Sequence, residues 1–180
     1  MAICGADMAE RGKLPRKMLV GTIMTNFGFS KFCEANGLNF VATKVGDRFV
    51  LEQMLQDGYA LGGEQSGHYI VYPAATTGDG IMTAMFFAKS LYKDGKLEAP
   101  ERLDLVPQNA IAEYADPSIM FDPKLRELTE KAENELGGNG RIIVRYSGTE
   151  PKIRVMVEAY DPEKVDEVLS EFKTFIRSRA

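Results

Sequence analysis

The chain has 180 residues and a formal net charge of −4, and 44% of its residues are hydrophobic while 27% are charged. This length and composition predict a soluble globular protein of one or two domains, and they exclude a disordered or fibrous chain. The acidic net charge provides no electrostatic surface for nucleic acid or for an anionic membrane, so a phosphate site would have to be local.

Cysteine and histidine are scarce in the sequence. Cys4 and Cys33 lack the spacing of a metal or redox motif, and a single histidine cannot complete a His/Cys metal cluster. No apolar run approaches the roughly 20 residues of a membrane span, and the N-terminal residues do not have the pattern of a signal peptide. We therefore predict no metal ligand and no membrane contact, and we take the cytoplasm as the default location.

The N-terminal half of the sequence alternates predicted strands with predicted helices. The apolar residues recur at helical spacing in residues 2–10, 27–36, 48–56 and 81–92. Strands are predicted at residues 17–24, 39–44, 59–61 and 69–72. Gly58 follows the third helix in the usual C-terminal position, and Asp79 is a candidate N-cap for the fourth. This alternation predicts an α/β domain, a mixed sheet with covering helices.

Residues 93–106 are charged and lack either hydrophobic period, which is typical of a linker. We place a domain boundary here, with the α/β domain at residues 1–97 and a second domain at residues 98–180.

The second domain has a different order of predicted elements. A weak strand near residues 110–114 precedes a helix that starts at residues 122–123 and stops at two glycines, 137 and 138. Two strands rich in β-branched residues then follow, and the last helix carries one apolar stripe, formed by Val165, Val168, Leu169, Phe172, Phe175 and Ile176. This order predicts a small α+β domain with helices on one face of an antiparallel sheet.

The two strands, residues 141–146 and 152–159, are joined by a short polar turn at residues 147–151. The turn contains two hydroxyls and Gly148, which allows backbone N–H groups to approach a ligand, and Arg145 and Arg154 flank it. On their chemistry alone, these groups fit a phosphate site about as well as they fit a plain polar turn. A polar hairpin tip with solvated arginines is the alternative, with Arg154 in a surface salt bridge to Glu158 or another neighbour.

A second polar loop, residues 62–68, is framed by glycines and carries Glu64, Ser66 and His68 at alternate positions. If this loop is extended, the three side chains fall on one side and can bind vicinal sugar hydroxyls. The alternative is a tight turn with a surface histidine.

Asp47 and Arg48, in the turn before the third helix, could contact a ligand, but we favour a capping role for them. No serine with a neighbouring base and no Asp-rich metal loop is recognisable, so no catalytic residue is predicted.

Residues 63–68 (GEQSGH) and 145–151 (RYSGTEP) resemble the sugar-binding and phosphate-binding loops of the α-D-phosphohexomutase family. Residues 1–7, 44–48 and 77–81 add to the resemblance, which covers nearly the whole chain and is greatest to the bacterial members that act on glucosamine phosphate. Two such loops in the right order, about 80 residues apart, are more specific than either loop alone.

The resemblance implies a four-domain enzyme that converts glucosamine 6-phosphate to glucosamine 1-phosphate for cell-wall synthesis. In the family, a phosphoserine on the first domain transfers the phosphoryl group through a bisphosphorylated intermediate, and an Asp-rich loop of the second domain holds Mg²⁺. Carried over by position, the sugar-binding residues would be Glu64, Ser66 and His68. The phosphate-binding residues would be Arg145, Ser147, Gly148 and Thr149, with Asp47, Arg48 and Arg154 as additional contacts.

The serine loop and the metal loop of the family have no counterpart in this sequence. We therefore expect a C-terminal half that is inactive alone and whose partners are a hexosamine phosphate and the N-terminal domains of the same protein. A homodimer formed through a face that the absent half leaves exposed stays open. So do a stand-alone sugar-phosphate-binding module and a fragment of a phosphomannomutase or phosphoglucomutase.

Overall fold

The chain divides into two compact units, Met1–Leu105 and Val106–Ala180. The computed structural model describes residues 1–93, 95–97 and 103–179. The predicted boundary after residue 97 adjoins residues 98–102, which lie outside the described residues, so the domain limits stay a prediction.

The first unit combines helices with a four-stranded sheet. Its helices are α1 (Ala2–Glu10), α2 (Phe27–Ala35), α3 (Asp47–Asp57) and α4 (Gly80–Leu91). The sheet contains β1 (Met18–Thr22), β2 (Asn39–Thr43), β3 (Leu61–Gly63) and β4 (Tyr69–Val71). A short hairpin of β5 (Tyr92–Lys93) and β6 (Lys96–Leu97) follows, at the start of the segment that the sequence predicts as a linker.

The sheet of the first unit has the strand order β2-β1-β3-β4, in which β1 pairs in parallel with β2 and β3, and β4 is antiparallel to β3. Successive side chains of a strand point to opposite faces. Leu19 accordingly packs in a cluster with α1 and α2, whereas Val20 packs with Val50 and Met54 of α3. Helices thus cover both faces, and the predicted α/β fold with a mixed sheet is confirmed.

The ends of α3 and α4 follow the sequence signals. Gly58 ends α3 in the left-handed region with φ of 71°, and the Asp79 carboxylate accepts a hydrogen bond from the Met82 N–H at 2.9 Å.

The outward side of α4 carries exposed apolar side chains, since Ile81 is 79% exposed and Met85 is 67% exposed. The structure contains a single chain, so the homodimer stays a prediction. None of the helices in the described ranges has the length and apolar composition required to cross a membrane.

The second unit packs helices on one face of a three-stranded sheet. Its elements are β7 (Gln108–Tyr114), α5 (Pro123–Leu136), β8 (Gly140–Tyr146), β9 (Lys152–Ala159) and α6 (Pro162–Arg177). The strands are antiparallel in the order β7-β9-β8, so β9 is the central strand. The predicted α+β fold is confirmed, together with the hairpin turn between β8 and β9.

The side chains on one face of β9 are among the most deeply buried in the second unit. Ile153, Val155 and Val157 are fully buried, and they share one core with Phe172 and Ile176 of α6. The helices begin where Asp-Pro pairs predict, because the carboxylates of Asp122 and Asp161 each accept a hydrogen bond from a first-turn N–H. The apolar stripe of α6 therefore holds the helix against the face of the sheet opposite to the polar side chains of β9.

We expect Phe172→Ala to lower the free energy of unfolding by about 3–5 kcal/mol, because it removes a fully buried aromatic ring. Phe121→Ala is the matched control, since Phe121 is 82% exposed, and its effect should stay within about 0.5 kcal/mol. Urea unfolding followed by circular dichroism measures both. Equal losses in the two variants would contradict this packing.

Candidate functional site

The hairpin of β8 and β9 places two arginines side by side. Arg145 of β8 lies directly opposite Arg154 of β9, so both side chains leave the same face of the sheet. Like charges in this position are unfavourable unless an anion lies between them. Arg145 makes no hydrogen bond or ion pair with the described residues, and its guanidinium is therefore available to a ligand.

A carboxylate from the turn already contacts this cationic group. The Glu150 Oε1 accepts a hydrogen bond from Lys152 Nζ at 2.8 Å, and its Oε2 accepts one from Arg154 Nη2, also at 2.8 Å. The hydrogen bond from Lys152 is the main cause that lowers the pKa of the Glu150 carboxyl, and Arg154 adds to it. Lys152 lies in addition over the Tyr114 ring of β7, 4.7 Å from its centroid.

The predicted hydroxyl and glycine positions lie in the turn beside the arginines. Ser147 is buried, and its N–H donates to the Lys152 carbonyl at 2.8 Å, which closes the hairpin. Gly148 and Thr149 are exposed at the tip. A Cβ added at Gly148 would meet no atom within 4 Å, so the space beside its backbone is open. The turn thus brings together the four predicted phosphate-binding residues, Arg145, Ser147, Gly148 and Thr149, and places the predicted additional contact Arg154 beside them.

Arg154 forms an ion pair with a neighbour, as the alternative to a phosphate role predicts, but the partner is not Glu158. Arg154 pairs with Glu150, while Glu158 is fully buried and receives an ion pair from Arg141. The physical reason is register, because Arg141 lies directly opposite Glu158 in the ladder. The partner of Arg154 is therefore Glu150 of the turn.

The loop between β3 and β4 is a tight turn with an exposed histidine, which is the alternative that the sequence left open to an extended segment. The Glu64 N–H donates to the His68 carbonyl at 2.9 Å, and the Gly67 N–H donates to the Glu64 carbonyl at 3.1 Å. Gly67 has φ of 99°, a value that favours glycine and permits the reversal. Gly67 therefore serves chain reversal, whereas Gly62 and Gly63 lie within β3, where close neighbours leave no room for a Cβ.

The three polar residues of this loop are not equivalent. The Ser66 hydroxyl and His68 Nδ1 are 3.1 Å apart, within hydrogen-bond distance, and both residues are exposed. Glu64 is buried instead, and its Oε1 accepts a hydrogen bond from the Gly46 N–H at 2.9 Å. The loop therefore presents a serine-histidine pair to solvent, while Glu64 ties the loop to the start of α3.

Asp47 and Arg48 take local roles at that helix start. Asp47 is the first residue of α3, and its carboxylate accepts a hydrogen bond from the Arg48 N–H at 2.8 Å. Arg48 Nε donates to Glu52 one turn later, also at 2.8 Å. The N-cap of α3 is Gly46 and no described side chain caps the helix, so the favoured capping role was wrong, while a contact with ligand stays a prediction for both residues.

Sequence reasoning missed three participants in these sites. Gly46 supplies the N–H that holds Glu64, and Lys152 and Glu150 belong to the charge cluster around Arg154. Lys152 could have been found from the strand alternation, because it lies two residues before Arg154 on the same face. No sequence signal indicated that Glu64 would turn toward Gly46.

Candidate metal ligands lie apart from one another in the part of the chain that the structure describes. Within residues 1–93, 95–97 and 103–179, no three histidine, cysteine or carboxylate side chains are placed to hold an ion together. The residues described here do not fit a magnesium site.

Two family models match consecutive parts of the chain. The α/β/α domain III of phosphoglucomutase/phosphomannomutase matches residues 1–108, and the C-terminal domain of the same family matches residues 98–174. The chain belongs to the phosphoglucomutase/phosphomannomutase family.

Curated relatives in this family include phosphoglucosamine mutases of several bacteria. That of Limosilactobacillus reuteri is 45% identical over 171 residues, which cover 93% of this chain and 38% of the relative. That of Caldicellulosiruptor saccharolyticus is 40% identical over 185 residues, which cover 99% of this chain and 41% of the relative. The chain therefore spans about two fifths of the length of these phosphoglucomutase/phosphomannomutase family members.

Solved structures of other proteins share the fold of this chain, although their sequence identity to it is low. An N-acetylphosphoglucosamine mutase of Aspergillus fumigatus matches 99% of this chain and 42% of its own chain, with a TM-score of 0.76 and 19% identity. A second structure of that enzyme, in complex with GlcNAc-6P and magnesium, has a TM-score of 0.75 and 18% identity, and covers 99% of this chain and 43% of its own.

We expect Gly148→Ala to leave the free energy of unfolding within about 0.5 kcal/mol of the wild-type value, because the added methyl meets no atom. The same variant should bind phosphate more weakly, since the methyl would occupy the open space at the tip. Gly140→Ala is the contrasting variant: its Cβ would lie 2.4 Å from the Glu158 carbonyl oxygen, which should cost about 1–3 kcal/mol.

Urea unfolding and calorimetric titration with inorganic phosphate measure the two effects of Gly148→Ala. An unchanged phosphate affinity in a normally folded variant would show that the ligand does not approach this backbone.

Proposed function

We propose that this chain is the C-terminal part of a phosphoglucosamine mutase, which interconverts glucosamine 6-phosphate and glucosamine 1-phosphate. The observation that carries this proposal is the 40–45% identity to phosphoglucosamine mutases over 93–99% of the chain. In this proposal the chain binds the substrate, and the phosphoryl donor belongs to the rest of the parent protein.

The second unit holds the phosphate group that does not react. The guanidinium of Arg145 donates to two phosphate oxygens at once, a geometry that its planar fork allows. The hydroxyls of Ser147 and Thr149 and the open backbone at Gly148 supply further donors at the same turn. Arg154, directly opposite Arg145, adds a second guanidinium. The like-charged pair supports this role, because a dianion between the arginines removes their repulsion.

The first unit contacts the sugar. Ser66 and His68 are exposed and within hydrogen-bond distance of each other, so they can donate to and accept from adjacent ring hydroxyls. Glu64 keeps one carboxylate oxygen on the Gly46 N–H. Its other oxygen accepts no hydrogen bond from the described residues and is assigned to a sugar hydroxyl. Asp47 and Arg48 are assigned additional contacts from the neighbouring turn.

Phosphoryl transfer itself depends on groups outside this chain. The phosphoserine and Mg²⁺ of the parent enzyme are assigned to its N-terminal domains, and the ion neutralises charge on the transferred phosphoryl group. One relative with this fold is described in complex with GlcNAc-6P and magnesium, which supports magnesium in the parent enzyme but does not locate its ligands. The residues described above fit no magnesium site, so no step here is assigned to a metal. The parent would act in the cytoplasm and provide amino sugar for cell-wall precursors.

We expect the purified 180-residue chain to show no mutase turnover with glucosamine 6-phosphate, even with Mg²⁺ and a hexose bisphosphate added. Positioning and charge stabilisation cannot act without the phosphoryl donor. A coupled assay for glucosamine 1-phosphate measures this, with a full-length bacterial phosphoglucosamine mutase as positive control. Turnover by the chain alone would refute the proposed division of roles.

We expect Arg145→Ala to weaken binding of glucosamine 6-phosphate at least tenfold, or by about 1.5–3 kcal/mol, because a charge-assisted contact is lost. Arg126→Ala, on the exposed side of α5, removes the same charge from the same unit and should leave the affinity unchanged. Isothermal titration calorimetry compares the three chains. Equal affinity in Arg145→Ala and the wild type would remove Arg145 from the site.

A further inference from the structure

Glu150 places a negative charge inside the group of cations that would receive the phosphate. Its two carboxylate oxygens each accept a hydrogen bond of 2.8 Å, one from Lys152 and one from Arg154. The Glu150 side chain is 42% exposed, and its carboxylate accepts no hydrogen bond from a backbone N–H among the described residues. The two hydrogen bonds therefore use N–H donors of Lys152 and Arg154, but they do not hold the turn in shape. The ends of the turn are fixed by the ladder of β8 and β9.

Arg154 is incompletely satisfied in this arrangement. Its Nη2 donates to Glu150, while its Nε is buried and has no hydrogen-bond partner. These two nitrogens form one edge of the guanidinium, the edge that binds two oxygens of a phosphate or carboxylate in a bidentate contact. Glu150 accepts a hydrogen bond from only one of these two nitrogens, because its other carboxylate oxygen accepts one from Lys152. A phosphate group that used both would gain a hydrogen bond that the free chain lacks.

The charges of the turn also match a phosphate group. Arg145, Lys152 and Arg154 are cationic and Glu150 is anionic, which leaves two positive charges. A phosphate monoester carries close to two negative charges at neutral pH. Arg141 is not part of this group, since it is paired with the buried Glu158.

We propose that Glu150 is a displaceable counter-ion of the phosphate site. On binding, phosphate oxygens take Nε and Nη2 of Arg154 together, and the Glu150 carboxylate leaves Arg154 and stays on Lys152. This inference deepens the proposed function and rests on its phosphate site. Glu150 then keeps the cationic side chains ordered in the free chain, weakens phosphate binding by competition, and speeds release of the phosphate.

Lys152 is suited to retain Glu150 during this exchange. Its Nζ lies 4.7 Å from the centroid of the Tyr114 ring, and its side chain is only 20% exposed. The hydrogen bond that Lys152 donates to the Glu150 carboxylate is also the largest cause that raises the pKa of the Lys152 ammonium. Arg154 is 41% exposed and held through one nitrogen, so it is the more accessible of the two partners to an incoming anion.

The test compares Glu150→Gln with the wild-type chain in calorimetric titrations with inorganic phosphate and with glucosamine 6-phosphate. Glu150→Gln should bind both about twofold to fivefold more tightly, which is the loss of one competing exposed ion pair, that with Arg154, expressed as affinity. Its affinity should also fall more steeply with added salt, because the site gains one net positive charge.

Two further variants control this comparison. Glu171→Gln removes the same charge from α6, where Glu171 pairs with Lys131, and should bind like the wild type. Glu150→Asp keeps the charge at the turn and should not bind more tightly. Urea unfolding of each variant checks that stability is unchanged.

The outcomes separate this inference from the phosphate site itself. Tighter binding confined to Glu150→Gln supports it, including the case in which only that variant binds measurably. Binding by Glu150→Gln equal to or weaker than the wild type overturns it while leaving the site in place. If neither chain binds phosphate up to the solubility limit, both the site and the counter-ion role fail.

Discussion

The central position of β9 is the constraint on which the second unit depends. β9 pairs with β7 on one side and with β8 on the other, and a shift of β9 by one residue would turn its polar side chains toward the apolar core. The fully buried Ile153, Val155 and Val157 resist such a shift. Burial of the apolar face therefore stabilises the register that places Arg145 and Arg154 opposite each other on the other face. The repulsion between these two like charges is an electrostatic cost of that register.

The two candidate loops are held by different physical means. The loop between β3 and β4 is fixed by its own backbone hydrogen bonds and by the Glu64 carboxylate on the Gly46 N–H, so its shape depends on a second segment of the chain. The turn between β8 and β9 is fixed by its flanking strands, and its tip at Gly148 is open. The first loop is suited to presenting a defined pair of side chains, and the second to surrounding a compact anion.

The sequence predicts the architecture well because local patterns and tertiary packing agree. Asp79 caps α4, the Asp-Pro pairs start α5 and α6, and the α6 stripe is buried as its spacing predicts. Each of these signals is local, lying within one element or at its end. They locate helices and strands without reference to the rest of the chain.

The contacts of the sites were harder to predict because they join residues that are distant in sequence or depend on register. Glu64 meets a backbone N–H eighteen positions away, and Arg154 takes its partner from the turn because Arg141 already occupies Glu158. The tight turn at Gly67 requires a left-handed backbone, whereas an alternation of polar residues with glycines also suits an extended strand. Periodicity alone does not separate the two cases.

The anchoring of the hairpin turn also limits the entropy that a ligand must remove. Ordering one residue of a free chain costs about 1–2 kcal/mol, so a long disordered segment would lose much of its binding energy in becoming ordered. Here β8 ends at Tyr146 and β9 begins at Lys152, so only the five residues between them can lose freedom on binding. Both arginines already lie within the ladder. A small anion could therefore be bound with little reorganisation of the backbone.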